Sequence, residues 1–261
     1  MKLVSSRDNA DYKALKKLTE SGRERRKTGR IVLDGMHLVE AYQTAYGVPD
    51  QIVVSTSGAL RAEIAAWLAS FPQTKVIVLE DALFTTLSEV ETPSGILAVV
   101  ARPTPRQVLS ECADTIVLDG VQDPGNLGSI LRSAAAAGCT QAVLSADCVQ
   151  AWSPKVLRAA MGAHFQIDLH EGVDLGAFLA RFRGQSVLTA LNAAHSLYDL
   201  DLRTPTAWVF GNEGQGVRPE LLACVPMQVL IPMPGATESL NVAAAAAICL
   251  FEAVRQRLPR T

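Results

Sequence analysis

Short apolar runs alternate with amphipathic stretches along the first hundred residues of the chain. β-Branched runs separated by helical periodicity are typical of an α/β domain. Pro103 and Pro105 follow in the sequence ARPTPRQ, which predicts a stiff linker. The pattern predicts strands at 30–35, 51–55, 75–79 and 95–100, and helices at 36–47, 59–70 and 81–88.

The second half of the chain alternates in the same way, but its strands are almost continuously apolar. A run such as TAWVF lacks polar alternation, which indicates burial on both faces of a mostly parallel sheet covered by helices. The pattern predicts strands at 115–118, 141–144, 186–190, 207–210 and 228–231, and helices at 128–137, 154–161, 175–182, 219–224 and 240–257.

Composition narrows the class of protein. Of 261 residues, 49% are hydrophobic and 19% charged, which is typical of a globular chain. No apolar run reaches the roughly 18 residues of a membrane span, and the first 17 residues do not resemble a signal peptide. Five cysteines and four histidines are scattered without Cys-x-x-Cys or His-Glu-x-x-His spacing. We therefore expect a cytoplasmic protein with free thiols, no membrane partner and no metal.

Charge is distributed unevenly along the chain. The segment 13–30 holds eight basic and two acidic side chains, so it carries a charge of +6. Because the net charge of the chain is −2, the remaining residues together carry −8. A segment such as SGRERRKTGR can cover several phosphates of a nucleic acid, although a solvated helix face is an equally good interpretation from charge alone. The candidate RNA-binding residues are Arg23, Arg25, Arg26, Lys27 and Arg30.

The stretch LDGVQDPGNLGSILRSAAAAG, residues 118–138, looks like a nucleotide-binding turn after a strand. Gly120 and Gly125 have Walker spacing, but Asn126 follows where that loop needs a lysine for the phosphates. The glycines also lack the Gly-x-Gly-x-x-Gly spacing of a dinucleotide site. The sequence offers instead an amide at Asn126 and a guanidinium at Arg132.

Two further loops follow predicted strands, where ligands bind on open α/β sheets. The sequence VFGNEGQGV, residues 209–217, places Glu213 among three glycines, and IPMPGATESLNVAAAAA, residues 231–247, places Ser239 and Asn241 at the start of the last helix. Each loop taken alone also has a structural explanation, because glycine-rich loops are mostly turns and a serine there is more often an N-cap.

As an ordered set, these three loops closely resemble the three motifs of the SpoU/TrmH family. The resemblance rests on Asn126, Gly128 and Arg132, then GNEGQG, then SLNVAAAAA. Members of this family are RNA ribose 2′-O-methyltransferases of the SPOUT superfamily. The segment from RIVLDGMHLVEAY to ETPSGILAVV is similar, less specifically, to the ribosomal-protein-L30e-like substrate-binding domain that precedes many members.

The resemblance implies a fold and partners. It implies an L30e-like α/β domain at 1–103 that binds the RNA substrate, and a SPOUT α/β domain at 112–261 with a mostly parallel sheet and a C-terminal trefoil knot. It also implies a homodimer, with which close packing of the alanine-rich last helix is compatible. The implied cofactor is S-adenosyl-L-methionine, held by the second and third loops, while the first loop serves the RNA nucleotide.

By the same resemblance, two sets of residues form the site. The reacting centre holds Asn126, Arg132, Glu213, Ser239 and Asn241. The cofactor-binding residues are Leu191, Asn192, Gly211, Glu213, Gly216, Ile231, Met233 and Leu240.

The role of Arg132 is open at this point. The family assigns it the general base, but a guanidinium stays protonated in almost any protein setting. Bidentate binding of the adjacent phosphate and stabilisation of a developing alkoxide fit its chemistry better.

Two other classes of protein remain as alternatives. A nucleotide-dependent oxidoreductase or kinase explains glycine-rich loops but lacks both fingerprints described above. A non-catalytic RNA-binding protein of the same fold explains the basic segment but does not need the set of three motifs. For an enzyme, the large N-terminal domain favours rRNA over tRNA.

Overall fold

The computed structural model describes residues 2–259 except Glu89 and Glu91. The chain divides into two compact units. The first unit consists of the chain up to Pro103 together with the later segment Trp152–Phe165, and the second consists of Thr104–Ala151 and the chain from Gln166 onward.

The first unit is built on a five-stranded sheet in the order β1-β4-β3-β5-β2. Strand β5 is antiparallel to both its neighbours, whereas β1, β4 and β3 are parallel to one another. The elements are β1 (Lys2–Val4), α1 (Ala10–Glu20), α2 (Gly22–Thr28), β2 (Arg30–Asp34), α3 (Met36–Tyr46), β3 (Gln51–Ser55), α4 (Ala62–Ser70), β4 (Lys75–Leu79), α5 (Asp81–Thr85) and β5 (Ile96–Ala101).

Arg25 connects α1 to α2 inside the first unit and is only 7% exposed. Its Nη1 donates hydrogen bonds of 2.8 and 2.9 Å to the carbonyls of Leu18 and Thr19 in the last turn of α1. The final carbonyls of a helix have no partner within the helix, so this guanidinium supplies one. Arg25 is therefore buried and already engaged within the first unit, and its contact with RNA stays a prediction.

We expect Arg25→Met to lower the free energy of unfolding of the first unit by about 1–3 kcal/mol, since it leaves buried acceptors without a donor. Arg26→Met is the matched control, because Arg26 is exposed on the same helix and surface changes stay within about 0.5 kcal/mol. Scanning calorimetry of the two variants checks this, and equal melting temperatures would contradict it.

The second unit is built on a seven-stranded sheet in the order β10-β12-β9-β11-β6-β7-β8, and every pairing in it is parallel. The carboxyl ends of all these strands therefore lie at one edge. The elements from residue 115 onward are β6 (Thr115–Asp119), α6 (Pro124–Ala136), β7 (Gln141–Leu144), α7 (Pro154–Ala160, in the first unit), β8 (Asp168–Glu171), α8 (Leu175–Arg181), β9 (Gln185–Thr189), β10 (His195–Ser196), β11 (Thr206–Gly211), α9 (Pro219–Leu222), β12 (Met227–Leu230) and α10 (Val242–Arg257).

In the second unit, two helices begin elsewhere than the sequence pattern predicts. Helix α6 begins at Pro124 rather than at 128, because the Asp123 carboxylate accepts a hydrogen bond from the Asn126 amide and proline fits the first helical position. Helix α10 begins at Val242 with Asn241 as its N-cap, so Ser239 lies before the helix and not in its first turn.

The segment Trp152–Phe165 completes the first unit. The Phe165 ring packs edge-on against Tyr42, with 5.6 Å between ring centroids, and α7 contacts β2. The His37 Nε2 atom lies 3.2 Å from the carbonyl of Met161. Part of the first unit's core therefore comes from residues far along the chain. Among the described residues, no helix has the length and apolar character needed to cross a bilayer.

Candidate functional site

A cavity of about 380 Å³ opens at the carboxyl edge of the seven-stranded sheet. We call it the loop cavity. It is lined by the residues that follow β9, β11 and β12, which are neighbours in the sheet, and by the start of α10. Because these strands are parallel, the loops that follow them meet at one place. Pockets of this size are the usual binding sites of small molecules, here at the ligand-binding edge of an open sheet.

A chain of hydrogen bonds joins the three loops that the sequence singled out. The Glu213 carboxylate accepts from the Asn126 side chain at 3.0 Å, and from the backbone amides of Gln122 and Asp123, each at 3.1 Å. The Asn241 side chain donates to Asn126 Oδ1 at 2.8 Å. We call Glu213, Asn126 and Asn241 the loop triad. Each loop thus contributes one polar side chain to a single network.

Glu213 is held as an anion. Partial burial raises its pKa, but hydrogen bonds from Asn126 and from the backbone amides of the first two loops outweigh that effect, so the pKa lies below its usual range. The carboxylate is therefore ionised at neutral pH and acts only as an acceptor. Asn126, which donates to it, then turns its amide oxygen towards Asn241.

Gly211 is required by the shape of the second loop. Asn212 and Gly216 form an antiparallel bridge, which folds the loop back over the end of β11. A Cβ atom at Gly211 would lie 2.2 Å from the carbonyl carbon of Gly216 and 2.3 Å from the amide nitrogen of Val217. Only glycine leaves room for this close backbone approach.

The residues predicted to bind the cofactor mostly surround the loop cavity. Asn192 is exposed and does not line it. Those that line the cavity are Leu191, Gly211, Glu213, Gly216, Ile231, Met233 and Leu240.

The residues predicted for the reacting centre are brought together in part. Glu213, Ser239 and Asn241 line the loop cavity, and Asn126 joins them through its hydrogen bonds. Arg132 lies further along α6, is exposed, and does not line the cavity. Within the described part of the chain, its guanidinium has no hydrogen-bond or ion-pair partner.

The predicted RNA-binding residues divide into three groups. Arg23, Arg26 and Lys27 are exposed on α2, and none pairs with an acid among the described residues. Arg30 donates to the Asp50 carboxylate at 3.1 Å, and Arg25 is buried as described above. Three of the five predicted RNA-binding residues therefore remain available to a partner.

Sequence reasoning missed the groups that support the second loop. The Asn212 side chain donates to the Gly120 carbonyl at 2.9 Å, and its Oδ1 accepts from the amides of Gly214 and Gln215. Asparagine often bonds to the backbone in turns in this way. The position of Asn212 between Gly211 and Gly214 was the signal in the sequence that could have indicated this role. In the described ranges, no group of three or more His, Cys, Asp or Glu side chains is placed to hold a metal ion.

Comparison with known proteins extends these observations. The SpoU rRNA Methylase family profile matches residues 114–251, and the profile of the MRM3-like substrate binding domain matches residues 9–98. The chain is 33% identical over 254 residues to the 23S rRNA (guanosine(2553)-2′-O)-methyltransferase RlmP of Bacillus subtilis, covering 96% of this chain and 98% of that protein.

Two solved structures have the same fold. The AdoMet-bound rRNA methyltransferase from Sinorhizobium meliloti superposes with a TM-score of 0.83 at 28% identity and covers 99% of both chains. The SpoU methyltransferase AviRb from Streptomyces viridochromogenes, in complex with AdoMet, superposes with a TM-score of 0.85 at 26% identity and covers 95% of this chain and 98% of its own. The predicted α/β fold with a mostly parallel sheet is confirmed, and so is the resemblance drawn from the three motifs. The chain belongs to the SpoU rRNA methylase family.

Proposed function

We propose that the chain transfers the methyl group of S-adenosyl-L-methionine to a ribose 2′-hydroxyl of ribosomal RNA. The observation that carries the proposal is the meeting of the second and third motif loops at one cavity, to which the loop triad joins the first loop. Family membership supports the reaction class, and RlmP is named as a 23S rRNA methyltransferase. These relatives favour an enzyme over a non-catalytic RNA-binding protein.

The loop cavity fits the cofactor. Its walls combine apolar side chains such as Ile231 and Leu240 with polar groups from Glu213, Ser239 and Asn241, as suits a ligand with an adenosine part and a charged amino-acid part. When bound there, S-adenosylmethionine supplies a methyl group already activated by the sulfonium charge. We propose that Leu191, Gly211, Gly216, Ile231, Met233 and Leu240 hold it, with Asn192 outside the pocket.

The protein's own groups then align the nucleotide and manage its proton. Asn126 is oriented by Glu213 on one side and by Asn241 on the other, so its amide is fixed without a further partner. Such pre-orientation is worth several kcal/mol in a two-substrate reaction. Glu213 accepts three hydrogen bonds from the first loop and therefore serves to hold that loop in place. We assign Ser239, before the N-cap of α10, to contact with the bound nucleotide or cofactor.

Arg132 completes the reacting centre from the RNA side. Its exposed guanidinium lies outside the loop cavity, and S-adenosylmethionine has no phosphate for it to bind. We assign it to the phosphate next to the target ribose, where a planar fork binds two oxygens. The same charge stabilises the developing alkoxide, and the phosphate accepts the hydroxyl proton.

We also propose the arrangement of the whole enzyme. The first unit, chiefly residues 1–103, selects the RNA as an L30e-like domain, and residues 112–261 hold the cofactor. The family resemblance supports a trefoil knot in the C-terminal segment and a homodimer in the cytoplasm. The proposed catalytic residues all belong to the second unit, namely Asn126, Arg132, Glu213, Ser239 and Asn241.

The purified chain is expected to bind S-adenosylmethionine and its demethylated product, and neither NAD nor ATP. Calorimetric titration measures this, and a variant with Leu240→Arg, which places a charge in the cavity wall, serves as the negative control. No heat with S-adenosylmethionine would defeat the proposal. Methyl transfer from labelled cofactor to rRNA and to tRNA, each from a strain lacking the enzyme, then decides the RNA class.

Neutralising Arg23, Arg26 and Lys27 is expected to weaken RNA binding and to flatten its dependence on salt. Each lost phosphate contact reduces the log–log slope by about 0.7–0.9. Affinity for S-adenosylmethionine should stay unchanged, since these residues lie in the first unit. Binding isotherms at several salt concentrations provide the measurement.

The matched control neutralises three basic residues that already pair with acids, namely Lys2 with Asp11, Arg181 with Glu111 and Arg203 with Asp201. This control variant has the same net charge as the test variant. If both variants lose the same slope, the effect is one of net charge and α2 is not the contact.

A further inference from the structure

A buried carboxylate stands at the end of β6, next to the first loop. The Asp119 side chain is only 2% exposed. Both of its oxygens contact Arg218, which directly follows the second loop: Oδ2 accepts from the Arg218 backbone amide at 2.9 Å, and Oδ1 lies 2.8 Å from Arg218 Nη2. Arg218 follows the GNEGQGV motif and was not among the residues predicted for the site.

The Arg218 guanidinium also reaches a second acid. Its Nη1 lies 3.4 Å from Asp147 Oδ2, in the loop after β7. Asp147 is exposed and Arg218 is half exposed, whereas Asp119 is buried. The strong member of this cluster is therefore the pair of Arg218 with the buried Asp119, because exposed ion pairs contribute little.

The second loop is held to the first at both of its ends. At its start, Asn212 donates to the Gly120 carbonyl, and at its end Arg218 is bound to Asp119. Glu213 lies between these two anchors and accepts hydrogen bonds from the amides of Gln122 and Asp123. Strands β6 and β11 are neighbours in the sheet, so the two anchors fix the distance between the Glu213 carboxylate and the first loop.

We propose that Arg218 is a positioning residue for methyl transfer, whose ion pair with Asp119 fixes the second loop so that Glu213 holds Asn126 at the loop cavity. The inference rests on the proposed function. Arg218 acts through Glu213 and does not itself line the loop cavity. Its guanidinium suits the role, because it places a positive charge against the buried Asp119 carboxylate.

The test is a double-mutant cycle between Arg218→Gln and Glu213→Gln. Arg218→Gln is expected to lower kcat by about ten- to a hundredfold, the scale of a misplacement of about 1 Å at a reacting centre. If Arg218 acts through Glu213, the double variant is no slower than Glu213→Gln alone. A purely structural ion pair would instead slow both backgrounds by the same factor.

Arg203→Gln is the matched control, because Arg203 forms an exposed bidentate pair with Asp201 elsewhere in the second unit. It should keep the wild-type kcat. If Arg218→Gln does not fold at the assay temperature, Arg218→Lys carries the same cycle, because it retains a cation beside Asp119. A several-fold loss is then expected, present only when Glu213 is intact.

Two results overturn the inference while leaving the proposed function standing. They are a kcat of Arg218→Gln within twofold of wild type, and equal losses in the presence and absence of Glu213. A wild-type chain that transfers no methyl group to RNA defeats the proposed function itself, and the inference falls with it.

Discussion

Arg132→Ala is expected to lower methyl transfer at least about a hundredfold, the usual loss when one charge-stabilising donor is removed. Arg132→Lys should lose nearly as much, because an ammonium keeps the charge but not the planar fork that binds two oxygens. Single-turnover methylation with saturating cofactor measures both. The large effect follows from the assignment of this guanidinium to the RNA phosphate and the reacting oxygen.

Folding and cofactor affinity should be unaffected in the Arg132 variants, since the side chain is exposed and lies outside the loop cavity. Arg181→Ala, at an exposed arginine on α8, is the control and should keep full activity. Near-normal methylation by Arg132→Ala would show that the catalytic centre is elsewhere.

Gly211→Ala is expected to reduce the affinity for S-adenosylmethionine by about tenfold or more. The added methyl group meets the backbone of Gly216 and Val217 at 2.2–2.3 Å, and overpacking of this kind costs about 1–3 kcal/mol. The loop must move away to relieve the contact, and Glu213 moves with it. Titration calorimetry gives the affinity, and kcat should fall together with it.

Gly214→Ala tests whether the effect is specific to the close approach. A Cβ atom at Gly214 would lie 3.6 Å from Asn212 Oδ1, an ordinary contact. This variant should bind the cofactor as wild type does. If the two alanine variants behave alike, the crowding at Gly211 is not what shapes the pocket.

The central strands are well predicted from the sequence, because their formation depends on residues close together in the chain. The runs at 51–55 and 75–79 are strands with the predicted bounds, since each is short and rich in β-branched residues. Strand β8, with the sequence DLHE, and the two-residue β10 were missed, because polar residues conceal edge strands whose pairing depends on neighbours distant in sequence.

The site follows the same division. The order of the motifs was enough to predict that Glu213, Asn126 and Asn241 meet, because the loops that follow parallel strands lie at one edge of the sheet. Charge counting was not enough for Arg25, since a basic run does not show which member turns inward to cap a helix. Arg218 was equally invisible, because its partner Asp119 lies 99 positions away in the sequence.

The late segment Trp152–Phe165 has a consequence for biosynthesis. Domains usually fold as they leave the ribosome, N-terminal ones first. The first unit cannot complete its folding when Pro103 leaves the ribosome, because Phe165, which packs against Tyr42, has not yet been synthesised. Translation at roughly 5–20 residues per second needs about 3–12 s to synthesise the chain between Pro103 and Phe165. We expect the nascent protein to expose apolar surface of β2 and α3 during that interval, and so to depend on protection from aggregation until Phe165 is made.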